Sequence, residues 1–76
     1  MQGIRLSHGV VFVTNGISTV RILKNGEVGY SPISYFVLER DLSTEPPSSW
    51  EYMTDREIRS LPEWDKISAL FEKIGR

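Results

Sequence analysis

The chain contains no cysteine, and it is only 76 residues long. Domains of this size commonly hold themselves together with disulfides or a structural zinc. Without thiols, a disulfide framework, a zinc ribbon and a zinc finger are all closed to it. What remains is a hydrophobic core, and a thin one, because so short a chain buries only about 60–65% of the surface its unfolded form exposes. A single domain over residues 1–76 is therefore expected. There is no room for a dinucleotide-binding fold made of roughly 30-residue βαβ units. Apolar residues make up 39% of the sequence and charged residues 25%, with nine basic side chains against ten acidic ones. That balance is too apolar for a disordered chain.

The apolar residues follow one pattern before about residue 42 and another after it. Val10-Val11-Phe12-Val13-Thr14 is a β-branched run bounded by Gly9 and by Asn15-Gly16, the form of a strand buried on both faces. Ser18 to Leu23 resumes as a second strand. Val20 and Ile22 should point one way, Thr19 and Arg21 the other. Asn25-Gly26 is a strong hairpin signal, because both residues tolerate positive φ. Glu27 to Tyr30 should pair back antiparallel. Pro32 cannot donate to a ladder and marks an edge or a break. Tyr35-Phe36-Val37-Leu38 reads as a further strand, and Ile4-Arg5-Leu6 as a short additional edge strand. Residues 4–41 are thus expected to form a β-meander and residues 42–53, with Pro46-Pro47 at their centre, a bend. No P-x-x-P spacing is present there.

Residues 54–75 carry helical signals. Thr54-Asp55-Arg56-Glu57 and Ser60-Leu61-Pro62-Glu63 both have capping-box form, which predicts a short helical turn followed by a longer helix. On the longer helix Leu61, Trp64, Ile67, Leu70, Phe71 and Ile74 recur at spacings of three and four and lay down one apolar stripe. Gly75 is a natural stop. A helix this short is marginal alone in water, so its stripe should lie on the sheet. The expected fold class is α+β: a small curled antiparallel sheet of three to five strands, followed by one or two C-terminal helices packed on it.

Part of the sheet region resembles a known family. In the segment from Ile22 to Val37, a hairpin turn is followed by Gly29, Pro32 and Tyr35 at the spacings found in the C-terminal half of a Src-homology-three domain. Leu6 to Val13 is similar to the strand after that family's long acidic loop. The resemblance implies a small β-sheet curled towards a partial barrel. The family's N-terminal strand, its acidic loop and its groove tryptophan have no counterpart, so only Pro32 and Tyr35 of the peptide groove carry over.

Charge narrows the functions. Residues 1–38 hold Arg5, Arg21 and Lys24 against Glu27, while residues 39–76 hold six bases against nine acids. The net charge of −1 is not the footprint of a typical nucleic-acid binder. His8 is the only histidine and stands in an expected turn, with no nucleophile elbow near it. Asp55, Glu57, Glu63 and Asp65 are close in sequence, but each suits a helix N-terminus, where the dipole favours negative charge. No catalytic residue, metal site or cofactor is therefore expected. No apolar run approaches the roughly 20 residues that span a bilayer. Met1-Gln2-Gly3-Ile4-Arg5 lacks signal-peptide form, so a cytoplasmic location is expected.

By elimination, the sequence points to a small non-catalytic protein–protein interaction module that regulates, inhibits or adapts a larger protein. Tryptophan and tyrosine are enriched at interface hot spots. Trp50 and Tyr52, with the neighbouring acids Glu45, Glu51 and Asp55, are the first candidates for the contact, joined by Tyr30 and Tyr35. The alternatives are a single-strand nucleic-acid binder using Arg5, Arg21, Lys24 and Phe36 on the sheet, or an accessory subunit completed by oligomerisation. No membrane association is expected, and the chain should be a monomer or a weak homo-oligomer.

Overall fold

A computed structural model of the chain describes residues 1–44 and 49–74. Five strands, β1 (Gln2–Leu6), β2 (Val11–Thr14), β3 (Thr19–Ile22), β4 (Val28–Tyr30) and β5 (Trp50–Met53), form one antiparallel sheet. Among the described residues three α-helices, α1 (Tyr35–Leu42), α2 (Asp55–Arg59) and α3 (Trp64–Ile74), complete the α+β fold. The order across the sheet is β4-β3-β2-β1-β5. Among the described residues β4 and β5 are the edge strands, and the sheet does not close into a barrel. None of the described helices is long and apolar enough to cross a membrane.

The register assigns every side chain to a face. Met53, Gly3, Val13, Val20 and Tyr30 form one cross-strand row, and Glu51, Arg5, Val11, Ile22 and Val28 form the next row on the same face. Helices α2 and α3 cover this face. Ile58, Ile67 and Phe71 join Val11, Val13, Val20, Ile22 and Met53 in one buried cluster, with Leu61, Trp64, Leu70 and Val28 packed around it. The apolar stripe read from the sequence thus lies where amphipathicity required it. Gly3 lets α2 approach, since a Cβ there would stand 3.0 Å from Ile58 Cδ1.

The opposite face carries the row Tyr52, Ile4, Phe12, Arg21 and Gly29. Helix α1 covers it, burying Tyr35 and Leu38 alongside Ile4, Phe12, Thr14 and Thr19. The sheet is therefore sandwiched between helices, which explains why all four residues of β2 are buried.

Four sequence expectations are corrected. Tyr35 to Leu38 begins helix α1 rather than a strand. Ser34 caps the helix by accepting from Val37 N–H, and Tyr35 and Leu38, three apart, fall on its buried side. Residues 50–53 are not bend but strand β5, which pairs with β1. Consequently β1 is interior, not an edge. Finally, Ser60 does not cap α3. It already closes α2, with its backbone N–H on the carbonyls of Arg56, Glu57 and Ile58 and its Oγ donating to Arg56 C=O at 2.8 Å, and α3 starts four residues later.

Candidate protein-docking surface

Two uncharged stretches meet at one end of the sheet. Residues 9–20 and 28–38 contain no aspartate, glutamate, lysine, arginine or histidine. The first supplies the β2–β3 turn, where Asn15 Oδ1 accepts from the amides of Ile17 and Ser18 at 2.9 Å and Gly16 takes φ +95°. This turn pushes Ile17 outward, leaving it 84% exposed. The second supplies the β4–α1 loop and the first turn of α1. Ser31 Oγ accepts from Ile33 N–H at 3.1 Å, and Ile33 and Phe36 are turned out, Phe36 to 79%.

Between turn and loop lies an open groove of about 400 Å³, lined by Ile17, Tyr30, Pro32 and Ile33 with the hydroxyls of Ser18 and Ser34. A second hollow of about 200 Å³, walled by Ile17, Gln2, Thr14 and Phe36, adjoins it through Ile17. Neither lining carries an acid or a base. An exposed apolar patch of this kind, rimmed by hydroxyls, is characteristic of interaction surfaces. Sequence reading missed Ile17 and Ile33. The available signal was a bulky β-branched residue at the tip of an Asn-Gly turn, where no core can reach it.

The residues singled out from the sequence are dispersed. Trp50 and Tyr52 share the α1 face of β5, their rings 4.8 Å apart and perpendicular. Trp50 is half-buried, and its indole N–H has no acceptor among the described residues; Tyr52 is 54% exposed. Glu51 lies on the other face, paired with Arg5 at 3.4 Å. Tyr30 is on the β4 edge and its hydroxyl donates to Leu70 C=O at 2.9 Å. Tyr35 is corrected from candidate contact to core: it is buried, and burial, with Glu39 and Tyr52 nearby, pushes its phenol up to about 12. Glu45 lies outside the described residues.

The nucleic-acid set is not brought together. Arg5 and Arg21 fall on opposite faces of the sheet, Lys24 is in the β3–β4 turn, and Phe36 is on α1 rather than on the sheet. Phe12, the sheet aromatic beside Arg21, is buried. His8 is exposed in the β1–β2 turn. Among the described residues, no three of His, Asp and Glu are grouped so as to hold a metal ion.

Asp55 has a structural role. Arg59 Nε donates to it at 2.7 Å and the Met1 ammonium at 3.2 Å, and these hydrogen bonds hold its carboxyl below the usual range. Glu57 is held low by the backbone and side chain of Thr54, its partner in the observed capping box. Both folded values lie below the unfolded ones, near ~3.9 and ~4.3, so the stability they contribute is present above that range and is lost as pH falls through it. Thermal midpoints are expected to be level from neutral pH to about 5 and to fall below about 4. The double variant Asp55→Asn, Glu57→Gln should fall less steeply; an equally steep fall would assign the acid sensitivity to other carboxylates.

No protein-family model, curated protein or solved structure was found to match the chain.

Proposed function

We propose that the chain is a small non-catalytic interaction module that docks on a larger protein through its uncharged pole. One observation carries the reading. Among the described residues, no acidic or basic side chain lines either of the two adjoining hollows, and Ile17, Ile33 and Phe36 are turned into water there. Exposing such side chains gains nothing for folding, whereas covering them contributes about 25 cal/mol per Å² of apolar area removed from water. A protein partner suits this chemistry better than an anionic membrane or a nucleic acid, both of which draw on clustered lysine and arginine.

The test places a photo-crosslinking amino acid at position 17 and, as control, at exposed Lys66 on α3. In the native host, a discrete heavier adduct is expected from position 17 and not from position 66. The double variant Ile17→Asp, Phe36→Asp should abolish association with that adduct partner, while changing stability by no more than about 0.5 kcal/mol, since both side chains are exposed. Equal adducts at both positions, or none at position 17, would sink the reading.

A further inference from the structure

A second surface, which shares only Phe36 with the pole, is the outer edge of β5, where no further strand pairs among the described residues. Ser7 N–H donates to Ser49 C=O at 2.9 Å, and the β1–β5 register carries that alternation on to Glu51 and Met53. Leu6, opposite Trp50, instead donates to Val10 C=O on the β2 side at 2.8 Å. In an antiparallel ladder, paired and unpaired positions alternate, so Trp50 and Tyr52 turn their backbone N–H and C=O groups away from β1. β5 is the last strand on this side, and such a row of backbone groups is a template for another strand.

Beside this edge lies a cavity of about 190 Å³ between Tyr52 and the outer side of α1, where Phe36, Glu39, Arg40 and Ser43 form the wall. A strand added about 4.8 Å beyond β5 would place the side chain opposite Tyr52 on the α1 face, beside this cavity. Two aromatic rings border the space. Glu39 is half-buried and makes no ion pair among the described residues; desolvation first, and then the Glu39 charge, raise the phenols of Tyr35 and Tyr52, and a side-chain hydrogen bond with Glu39 raises Tyr52 further. Arg40 is exposed, so its charge is screened more strongly than that of Glu39. On the opposite face Glu51 already has Arg5. The other edge is a poorer template: β4 has three residues, and the hollow along it holds only about 60 Å³.

We propose that β5 takes up an extended segment of a partner protein by strand addition, with a lysine or arginine of that segment opposite Tyr52, its stem between the rings of Tyr52 and Phe36 and its cation at the Glu39 carboxylate. Main-chain hydrogen bonds supply affinity in this mode, and the pocket beside the edge supplies specificity. The occupant is thus a basic, alternating, extended peptide.

The probe is an acetylated, amidated heptapeptide with lysine at alternate positions and valine between them, titrated into isotopically labelled full-length protein. Saturable shifts are expected at the Trp50 and Tyr52 amides. Glu39→Gln should weaken binding about fivefold, the loss of one partly exposed charge-assisted contact, and glutamate in place of lysine in the peptide should abolish it. Two further peptides are N-methylated on one or the other alternate set of amides. Only one set can face β5, so one methylated peptide should lose binding and the other keep it. Ile17→Asp, at the pole, should bind the probe unchanged. Equal binding of both methylated peptides, no effect of Glu39→Gln, or the absence of saturable shifts at β5 would each overturn strand addition while leaving the pole untouched.

Discussion

Ile58→Ala is expected to cost about 3–4 kcal/mol. A 76-residue domain has roughly 4–11 kcal/mol in total, so this one truncation should remove about a quarter of the stability or more. Ile58 is fully buried and is the only buried residue of α2, a helix of five residues. So short a helix cannot stand without tertiary contacts, and Ile58 seated against Gly3 on β1 is what holds it to the sheet. Denaturant unfolding should show a lower midpoint at an unchanged slope. The contact also predicts a coupling. Gly3→Ala alone puts a methyl 3.0 Å from Ile58 Cδ1 and should cost about 1–3 kcal/mol by overpacking. Ile58→Val deletes that Cδ1. The double variant should therefore be more stable than the two single changes added together, by about 1 kcal/mol. Strict additivity would mean that α2 moves aside freely. The rescue is partial, because valine keeps Cγ1 at position 58, 3.2 Å from the added methyl, and Phe12 C=O, 3.3 Å from it, also remains in place.

The parts of this architecture that were legible in the sequence are those where the side-chain period was long or the turn chemistry explicit. The α3 stripe, from Trp64 through Ile67 to Phe71, runs over two turns and admits one reading. Asn15-Gly16 and Asn25-Gly26 fixed the meander from β2 to β4, and Gly16 and Gly26 do adopt positive φ. Thr54 and Glu57 formed the box their spacing indicated. The failures are short segments. Tyr35-Phe36-Val37-Leu38 has no period within four residues, and β-branched and aromatic residues favoured a strand; only Ser34 as a cap and the three-residue step from Tyr35 to Leu38 argued for a helix. Trp50-Glu51-Tyr52-Met53 alternates as a strand should, but it is four residues long and needs β1, more than 40 residues away, as its partner.

The two errors compound. With α1 read as a strand, the second face of the sheet has no cover, although the apolar run from Val10 to Val13 already requires one. Candidate contacts suffered for the same reason. Aromatic residues are the expected anchors, yet Tyr35 lies in the core, whereas the proposed docking surface is set apart by the absence of charge over two stretches that become neighbours only in three dimensions.

Thr19→Val should be the most damaging change that removes only a hydrogen-bonding group. Thr19 is buried on β3, and its Oγ1 accepts from Tyr35 N–H at 3.0 Å inside the protein. Tyr35 opens α1, so its amide has no partner within the helix; β3 supplies the cap that the helix itself cannot. Valine matches threonine in shape and lacks the acceptor, which leaves a buried donor unsatisfied at about 1–3 kcal/mol. The loss should be local as well as global. Amide exchange at Phe36, Val37 and Leu38 should accelerate more than exchange in β2, because only the first turn of α1 is untied. Thr19→Ser keeps the acceptor and should restore slow exchange at those amides. The same turn carries Phe36 and leads from Ile33, so Thr19→Val should also weaken the proposed docking through the pole without altering any of its exposed apolar side chains. Slow exchange in Thr19→Val would show that α1 is held by packing of Tyr35 and Leu38 alone, and the link from this buried hydroxyl to the docking surface would then be broken.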